Sequence, residues 1–313
     1  MLTNPVLKYY GSKFRMAKWI IEHFPVHEHY VEPFGGGGSV LFQKRPSRVE
    51  TYNDLDGDVC NFFRVLRDRP DELIRAIRLT PWAREEFELC LMAADDALER
   101  ARRLYFRLRM SLHGGTLAIA SNWKRHKEKI SPAASIRPQV VYDAAKRLTT
   151  VQIENRDALK LIDEMDSPRT LFYLDPPYVT QTRTDKKRYR HELDDDGHAL
   201  IASVVQAVRG FVVISGYACE LYRDLYEQHG WRRIDVDAVA KQHPDLAAEL
   251  RELWAVAQFA GLARSPGFDQ RPTGTLTPGR AHELTSVDAA PGLPREFGDF
   301  EILEELGRGG MGV

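Results

Sequence analysis

The sequence predicts an α/β fold: a parallel sheet with helices on both faces, interrupted by a mostly helical inserted subdomain. A strand, glycine turn, helix and second strand follow one another over residues 30–58. Strand and helix signals alternate again from Val151, and such alternation is typical of a parallel sheet. Between these parts, residues 61 to about 150 show Leu, Arg, Glu and Ala at helical spacing and little strand pattern. The helical part therefore interrupts the α/β domain.

We divide the chain accordingly. Residues 1–60 and 151–260 form the α/β domain, and residues 61–150 form the insert. Residues 261–297 are rich in Pro, Gly, Thr and Ser with little apolar periodicity, which predicts a flexible linker. Residues 298–313 form a separate tail.

Composition excludes several protein classes. The chain has 313 residues, of which 43% are hydrophobic and 28% charged, near the average for globular proteins. No apolar run approaches the ~20 residues of a membrane span, and the N-terminus lacks the pattern of a secretory signal. Its 3 cysteines have no C-x-x-C spacing, which argues against a disulfide framework and a zinc site. We expect a cytoplasmic protein without a metal site.

The net charge of -1 hides two basic regions. Residues 100–147 hold twelve Lys and Arg against two acidic residues, and residues 183–190, RTDKKRYR, hold five against one. Most basic runs are only solvated surface, but these two runs lie on either side of residues 175–178, a motif of catalytic appearance, and are candidates for contact with a polyanion.

A glycine-rich turn follows the first strand in the sequence EPFGGGGS. Residues without a Cβ let a ligand approach the backbone, so Phe34, Gly35 and Gly37 predict a nucleotide-type pocket. Alone, the turn would also suit a dinucleotide-binding loop or simple packing. Glu32 would repel phosphate oxygens and favours a sulfonium or ammonium ligand, which points to S-adenosylmethionine rather than NAD.

Two further features support that pocket. The second strand ends at Asp54, where a carboxylate could accept hydrogen bonds from ribose hydroxyls, although an Asp here could also serve only a turn. Near the N-terminus, Lys13 could meet a ligand carboxylate and Tyr9 could pack on the cofactor. The alternative is an ordinary loop before a helix.

The strongest motif is LFYLDPPY, an apolar strand that delivers Asp175, Pro176, Pro177 and Tyr178 to the ligand edge of the sheet. The prolines restrict the backbone, so the Asp175 carboxylate and the Pro176 carbonyl form two fixed acceptors. Such a pair can bind both hydrogens of a base's amino group and aim its nitrogen lone pair at a methyl donor, while Tyr178 stacks on the base. Inside double-stranded DNA this geometry requires the base to be flipped out.

In these motifs the chain resembles the Dam-type adenine-specific DNA methyltransferases over about residues 7–261. KYYGSK, YVEPFGGGGSV, the acid of YNDLD and LDPPY occur in that order. The resemblance implies a class I S-adenosylmethionine-dependent methyltransferase (Rossmann-like) sheet and adenine amino methylation in duplex DNA. It implies that Tyr9, Lys13, Asp54 and Asp175 contact the cofactor and that Asp157 is a further acid near its adenine.

The resemblance also implies that the insert reads the DNA sequence. The candidate DNA contacts are Arg109, Asn122, Lys124, Arg125 and Lys127 of the insert, together with Lys186, Lys187 and Arg188 of the second basic run. Tyr9 and Tyr10 stand where a Trp-Ala type pair is frequent, and Gly197 is an addition. The insert differs enough that GATC is not assumed as the target. We expect a monomer, with a cognate restriction endonuclease as a candidate partner.

The tail FEILEELGRGGMGV resembles the start of a bacterial Ser/Thr protein kinase, with Gly307, Gly309, Gly312 and Val313 in G-x-G-x-x-G-x-V form. No catalytic kinase residues follow, so we expect a fusion remnant or truncated product, disordered or loosely docked, without kinase activity.

Two alternatives stay open. A site of this kind accepts any planar conjugated amine, so the substrate could be RNA or a protein amide. A non-catalytic DNA-binding relative with a decayed cofactor pocket is the second alternative.

Overall fold

The computed structural model describes residues 2–111, 123, 138–183 and 189–234, and the backbone of residues 257–260, 296–297 and 300–301. Its helices are α1 Ala17–Glu22, α2 Ser39–Gln43, α3 Gly57–Asp68, α4 Pro70–Leu79, α5 Arg84–Cys90, α6 Ala97–Met110, α7 Pro138–Leu148, α8 Ala158–Met165, α9 Asp195–Ala207 and α10 Glu220–Leu225. Its strands are β1 His29–Glu32, β2 Val49–Asn53, β3 Val151–Glu154, β4 Thr170–Leu174, β5 Phe211–Ile214, β6 Arg232–Ile234, β7 Ala257–Ala260, β8 Glu296–Phe297 and β9 Phe300–Glu301.

Seven strands form one sheet in the order β3-β2-β1-β4-β5-β7-β6. Strands β1 to β5 pair in parallel, and β7 pairs antiparallel with both β5 and β6. The strand order reverses between β1 and β4, which pair with Val31 opposite Phe172. Ligands of open α/β sheets bind beyond the carboxyl ends of the strands at such a switch point.

The central strands are apolar because both of their faces are covered. Every residue of β4 is buried, as are the last three residues of β1 and of β5. Helices begin at defined residues: the carboxylates of Asp56, Asp96, Asp157 and Asp194 accept backbone hydrogen bonds at the first turns of α3, α6, α8 and α9. These acidic residues therefore set where four of the described helices begin.

The region between β2 and β3 contains helices α3 to α7 in its described part. These described helices share one buried core with the sheet. Helix α3 packs against α6, α7 and β3, and residues such as Leu66 and Leu104 belong to the same buried cluster as Tyr30 and Tyr52 of the sheet. The helices are thus anchored on the α/β domain, and the predicted domain boundaries stay predictions.

Strands β6 and β7 differ from the sequence-based expectation, which placed only parallel strands in the sheet. β6 has three residues, all of them half-buried, and lies at the edge of the sheet. Such a short edge strand lacks the apolar run that marks a central strand. β8 and β9 form a separate antiparallel pair, so part of the predicted linker and tail has strand backbone. Most of residues 261–313 lie outside the described residues.

Across the described residues, none of the helices has the length and apolar character needed to cross a bilayer.

A buried ion-pair network joins β2 to α2 and α7. The Glu50 side chain is 1% exposed and pairs with Lys44 Nζ at 2.6 Å and Arg147 Nη1 at 2.5 Å. Burial raises the pKa of Glu50, but the hydrogen bonds from Arg147 and Lys44 outweigh burial and hold the pKa below its usual value. Glu50 therefore stabilises the fold at neutral pH, and this contribution is lost as the pH falls through its lowered pKa.

Glu50→Gln should destabilise the protein because it leaves the buried Lys44 ammonium without its counter-ion. We expect the free energy of unfolding at pH 7 to fall by about 3 kcal/mol in urea titrations. The matched control is Glu28→Gln, which removes the exposed pairs with Arg48 and Arg169 and should cost less than ~1 kcal/mol. Equal losses in the two variants would contradict the assigned role of the Glu50 network.

Candidate active site

A cavity of about 290 Å³ opens at the carboxyl ends of β1, β2 and β4. Nine residues predicted to bind the cofactor all line it: Tyr9, Lys13, Glu32, Phe34, Gly35, Gly37, Asp54, Asp157 and Asp175. Pro177 lines it as well, whereas Pro176 and Tyr178 do not. The structure thus gathers the N-terminal loop, the glycine turn and the Asp175 segment around one space.

The glycine turn is shaped by the protein's own aromatic rings. A Cβ on Gly35 would lie 2.1 Å from the Tyr52 ring, and one on Gly37 would lie 3.0 Å from Cβ of Tyr9. Gly36 has a φ of +48° and receives the Tyr52 hydroxyl hydrogen bond on its carbonyl at 2.6 Å. Close approach of Tyr52 and Tyr9, as well as room for a ligand, therefore requires the glycines here.

Asp54 holds the glycine turn in place. Its carboxylate accepts hydrogen bonds from the backbone N–H groups of Gly36 and Asp56, both at 2.8 Å. Burial raises the pKa of Asp54 to about 6 although both hydrogen bonds oppose this shift. The carboxylate faces the cavity and is a polar acceptor at its β2 side.

Asn53 is a positioning residue that the sequence analysis missed. Its buried amide nitrogen donates to the carbonyls of Pro33 at 2.8 Å and Arg156 at 3.1 Å, and its amide oxygen accepts from the Arg156 N–H at 3.0 Å. It therefore ties together the segments that follow β1, β2 and β3. An Asn at a strand end next to an acidic residue is a weak signal, because such residues are common in turns.

Lys13 joins the N-terminal loop to the Asp175 segment. Its Nζ donates to Asp175 Oδ2 at 2.8 Å and to the Gly11 carbonyl at 2.7 Å. The same ammonium lies 4.7 Å from the centre of the Tyr178 ring. The Lys13 side chain is 4% exposed and that of Asp175 is 20% exposed, so the pair is shielded from water mainly on the Lys13 side.

Burial raises the pKa of Asp175, and the neighbouring Lys13 ammonium opposes the rise. The Oδ1 oxygen of Asp175 and the hydroxyl of Tyr178 are buried, and neither has a hydrogen-bond partner of good geometry among the described residues. The Tyr178 ring packs edge-on against Tyr217, with centroids 4.9 Å apart. The Tyr178 hydroxyl still lies close enough to lower the pKa of Asp175, and Oδ1 is an acceptor that a donor on a ligand could engage.

Glu32 is the most buried carboxyl group of the cavity, at 2% exposure. It accepts a 2.6 Å hydrogen bond from the Tyr30 hydroxyl. Burial raises its pKa to about 7, although that hydrogen bond opposes the rise. The cavity therefore holds carboxyl groups that lose protons near neutral pH and can then attract a cation.

Residues 189–193 form the outer wall of the cavity, a role that the sequence analysis did not assign. Tyr189 packs edge-on against Tyr10, with ring centroids 5.8 Å apart. Arg190 Nη1 donates to Asp56 Oδ1 at 2.8 Å and to Asp58 Oδ2 at 3.0 Å. The segment has no apolar periodicity, and its one sequence signal is that its first two residues end the second basic run.

A family model of the D12 class N6 adenine-specific DNA methyltransferases matches residues 9–241. That span covers the loop of Tyr9 and Lys13, the glycine turn, Asp54 and the Asp175 segment. The chain belongs to this family. The family assignment and the sheet confirm the predicted class I methyltransferase fold and the prediction of an adenine-specific DNA methyltransferase.

Curated relatives agree with the family. The Type II methyltransferase M1.LlaDCHI of Lactococcus lactis subsp. cremoris is 26% identical over 257 residues, covering 74% of this chain and 87% of the relative. The DNA adenine methylase of Haemophilus influenzae is 23% identical over 279 residues, covering 81% and 93%. The DNA adenine methylase of Escherichia coli is 35% identical over 72 residues, which cover 23% and 26%.

The predicted DNA contacts of this methyltransferase are only partly described. Arg109 lies on α6, with its guanidinium 4.4 Å from the centre of the Tyr105 ring, and it does not line the cavity. The other predicted contacts, Asn122, Lys124, Arg125, Lys127, Lys186, Lys187 and Arg188, lie outside the described residues. Their roles stay predictions.

Glu32→Gln should stabilise the methyltransferase at alkaline pH. The folded-state pKa of about 7 exceeds the usual 4.5, so stability from Glu32 is fully present below pH 4.5 and is lost as the pH rises through 7. An uncharged amide avoids this loss, and we expect the free energy of unfolding at pH 8 to rise by about 2 kcal/mol.

Urea titrations between pH 4.5 and 8 measure this difference, which should shrink toward the acid end. The control is Glu164→Gln at an exposed glutamate paired with Arg156. A pH-independent difference for Glu32→Gln would show that burial of the charge is not its cause.

Proposed function

We propose that this adenine-specific DNA methyltransferase holds S-adenosylmethionine in the 290 Å³ cavity and methylates the adenine amino nitrogen at Asp175. The observation that carries the proposal is the juxtaposition of the glycine turn with Asp175, whose buried Oδ1 oxygen lacks a partner of good geometry. Bound S-adenosylmethionine would supply a methyl group on a positively charged sulfur. The remaining chemistry belongs to residues of the chain.

The residues of the cavity fit such a donor. Glu32 and Asp175 provide negative charge where a sulfonium or an α-amino group would need it, and burial strengthens that attraction. Asp54 lies at the end of β2, where its carboxylate can accept from ribose hydroxyls. Tyr9 and Phe34 give apolar walls, and Asp157 stands at the start of α8 as the proposed acid near the donor's adenine.

Lys13 is proposed to lie between the bound donor and the target amine and to contact the donor. Its ammonium now pairs with Asp175, and it is the cationic side chain we assign to the carboxylate of the donor. Exchanging one carboxylate partner for another keeps the buried ammonium neutralised. It would also release Asp175 Oδ2 for the target base.

Asp175 and the carbonyl of Pro176 are the proposed acceptors for the two N–H groups of adenine. Holding both hydrogens aims the nitrogen lone pair at the methyl group. The bound donor would supply the methyl group and keep the electron pair of its C–S bond, and the amino nitrogen held by these acceptors would become cationic. Its surplus proton then passes to Asp175, whose raised pKa favours acceptance, or to water. Pro177 fixes the backbone, and Tyr178 is assigned to stack on the flipped base.

Duplex DNA carries the target base, and the cost of flipping it is offset by contacts of cationic side chains with phosphates. We assign these contacts to the basic residues predicted in the insert and in the second basic run. We propose a monomer, since the exposed large apolar side chains of the described residues are distributed over several loops and helices. A cognate restriction endonuclease is a proposed partner, supported by the Type II names of relatives.

Asp175→Ala should abolish methyl transfer because the amine loses its fixed acceptor. We expect kcat to fall by at least ~10³-fold in assays of labelled methyl transfer from S-adenosylmethionine to duplex DNA of mixed sequence. Circular dichroism and calorimetric binding of S-adenosylhomocysteine show whether the fold and pocket persist. Retained turnover would remove the catalytic assignment.

The same assay separates the alternative substrates. Duplex DNA, RNA and an amide-containing peptide compete for the labelled methyl group, and we expect the label in DNA. Label that appears mainly in RNA or peptide would overturn the choice of substrate. A chain that binds no donor and transfers no label would be a non-catalytic relative.

A further inference from the structure

The outer wall of the cavity, residues 189–193, is held at three places by described contacts. At its first residue, the Tyr189 hydroxyl packs against Gly11, where an added Cβ would lie 2.5 Å from the hydroxyl oxygen. Gly11 also has a φ of +72°. At its last residue, Leu193 packs on α9, where a Cβ on Gly197 would lie 2.5 Å from Leu193 Cδ1. Glycines on both flanking elements thus make room for this wall.

The middle anchor is ionic. Arg190 bridges Asp56 and Asp58, and the Asp56 side chain is 4% exposed while that of Arg190 is 36% exposed. Asp56 follows Asp54 by two residues and donates its backbone N–H to the Asp54 carboxylate. Arg190 therefore connects the wall to the turn that positions Asp54, the residue proposed to bind the donor's ribose.

Asp58 has a second cationic partner on the helical insert. Its Oδ1 accepts from Arg100 of α6 at 2.7 Å, while its Oδ2 accepts from Arg190. Burial raises the pKa of Asp58, but the two arginines outweigh burial and lower it. The carboxylate thus stays ionised between the insert and the cavity wall.

We propose that Arg190 is a positioning residue of the methyl-donor pocket, which closes the outer wall onto the Asp54–Asp58 turn through its bridge to Asp56 and Asp58. The inference rests on the proposed function, since it assigns a role within the proposed donor site. Arg190 acts through the wall and the turn, and it takes no part in the transfer of the methyl group.

Loss of the bridge should affect donor affinity more than chemistry. Without Arg190, Asp56 and Asp58 repel each other and the wall loses its ionic anchor, while Asp175 and Pro176 keep their geometry. For Arg190→Ala we expect the Kd of S-adenosylhomocysteine and the KM of S-adenosylmethionine to rise about tenfold, as expected for a partly shielded charge pair, with kcat within about twofold.

Three further variants sharpen the test, each measured by calorimetry and steady-state kinetics. Arg190→Lys keeps one charge but cannot span both carboxylates, so its Kd should lie between those of wild type and Arg190→Ala. Asp58→Asn keeps the Asp56 contact and should also be intermediate. Arg100→Ala is the matched control, because it touches the other oxygen of Asp58 and does not line the cavity. Its Kd should stay within about twofold of wild type.

The possible failures are distinguishable. If wild type binds S-adenosylhomocysteine and Arg190→Ala binds it equally well, the role of Arg190 is wrong while the proposed function stands. If affinity, kcat and melting temperature all fall together without rescue by Lys, Arg190 is only structural. If wild type binds no S-adenosylhomocysteine, the donor assignment and the inference fail together.

Discussion

The parallel pairing of β1 with β4 is the constraint on which the rest of the site depends. In this register the carboxyl ends of both strands lie at the same edge of the sheet, so the turn after Glu32 and the segment from Asp175 become neighbours. The two segments are far apart in the sequence. Methyl transfer requires donor and acceptor within bonding reach, and this pairing places the segments proposed to bind them side by side.

Placing ionisable groups at that edge has an electrostatic cost. The carboxyls of Glu32, Asp54 and Asp175 lie in surroundings that raise all three pKa values. The ion pair with Lys13 offsets part of this cost at Asp175, whereas the nearest partner of Glu32 is the neutral Tyr30 hydroxyl. A cationic ligand would offset the remainder, so the instability of the empty pocket is available as binding energy.

The sequence predicted those parts of the site that follow strand ends. Asp54 and Asp175 could be placed because a carboxylate after an apolar strand must lie at the ligand edge of a parallel sheet. The pairing of Lys13 with Asp175 could not be predicted, since it joins residues 162 positions apart whose approach depends on tertiary packing. For the glycine turn, the sequence predicted a ligand pocket but not the protein contacts that require glycine. Its need for Gly35 comes from the ring of Tyr52, a neighbour that sequence spacing does not reveal.

The outer wall of the cavity could not be predicted from the sequence, because tertiary contacts alone define it. Residues 189–193 have no periodic pattern, and their positions follow from contacts with the Gly11 loop, the Asp56 turn and α9. Yet this wall contains the last two residues of the second basic run, Tyr189 and Arg190, and Asp58 connects it to α6 of the insert. Arg190 and Arg100 contact different oxygens of Asp58, so this carboxylate can keep both ion pairs at once. The wall of the proposed donor site and a helix of the insert are therefore joined through one acidic side chain.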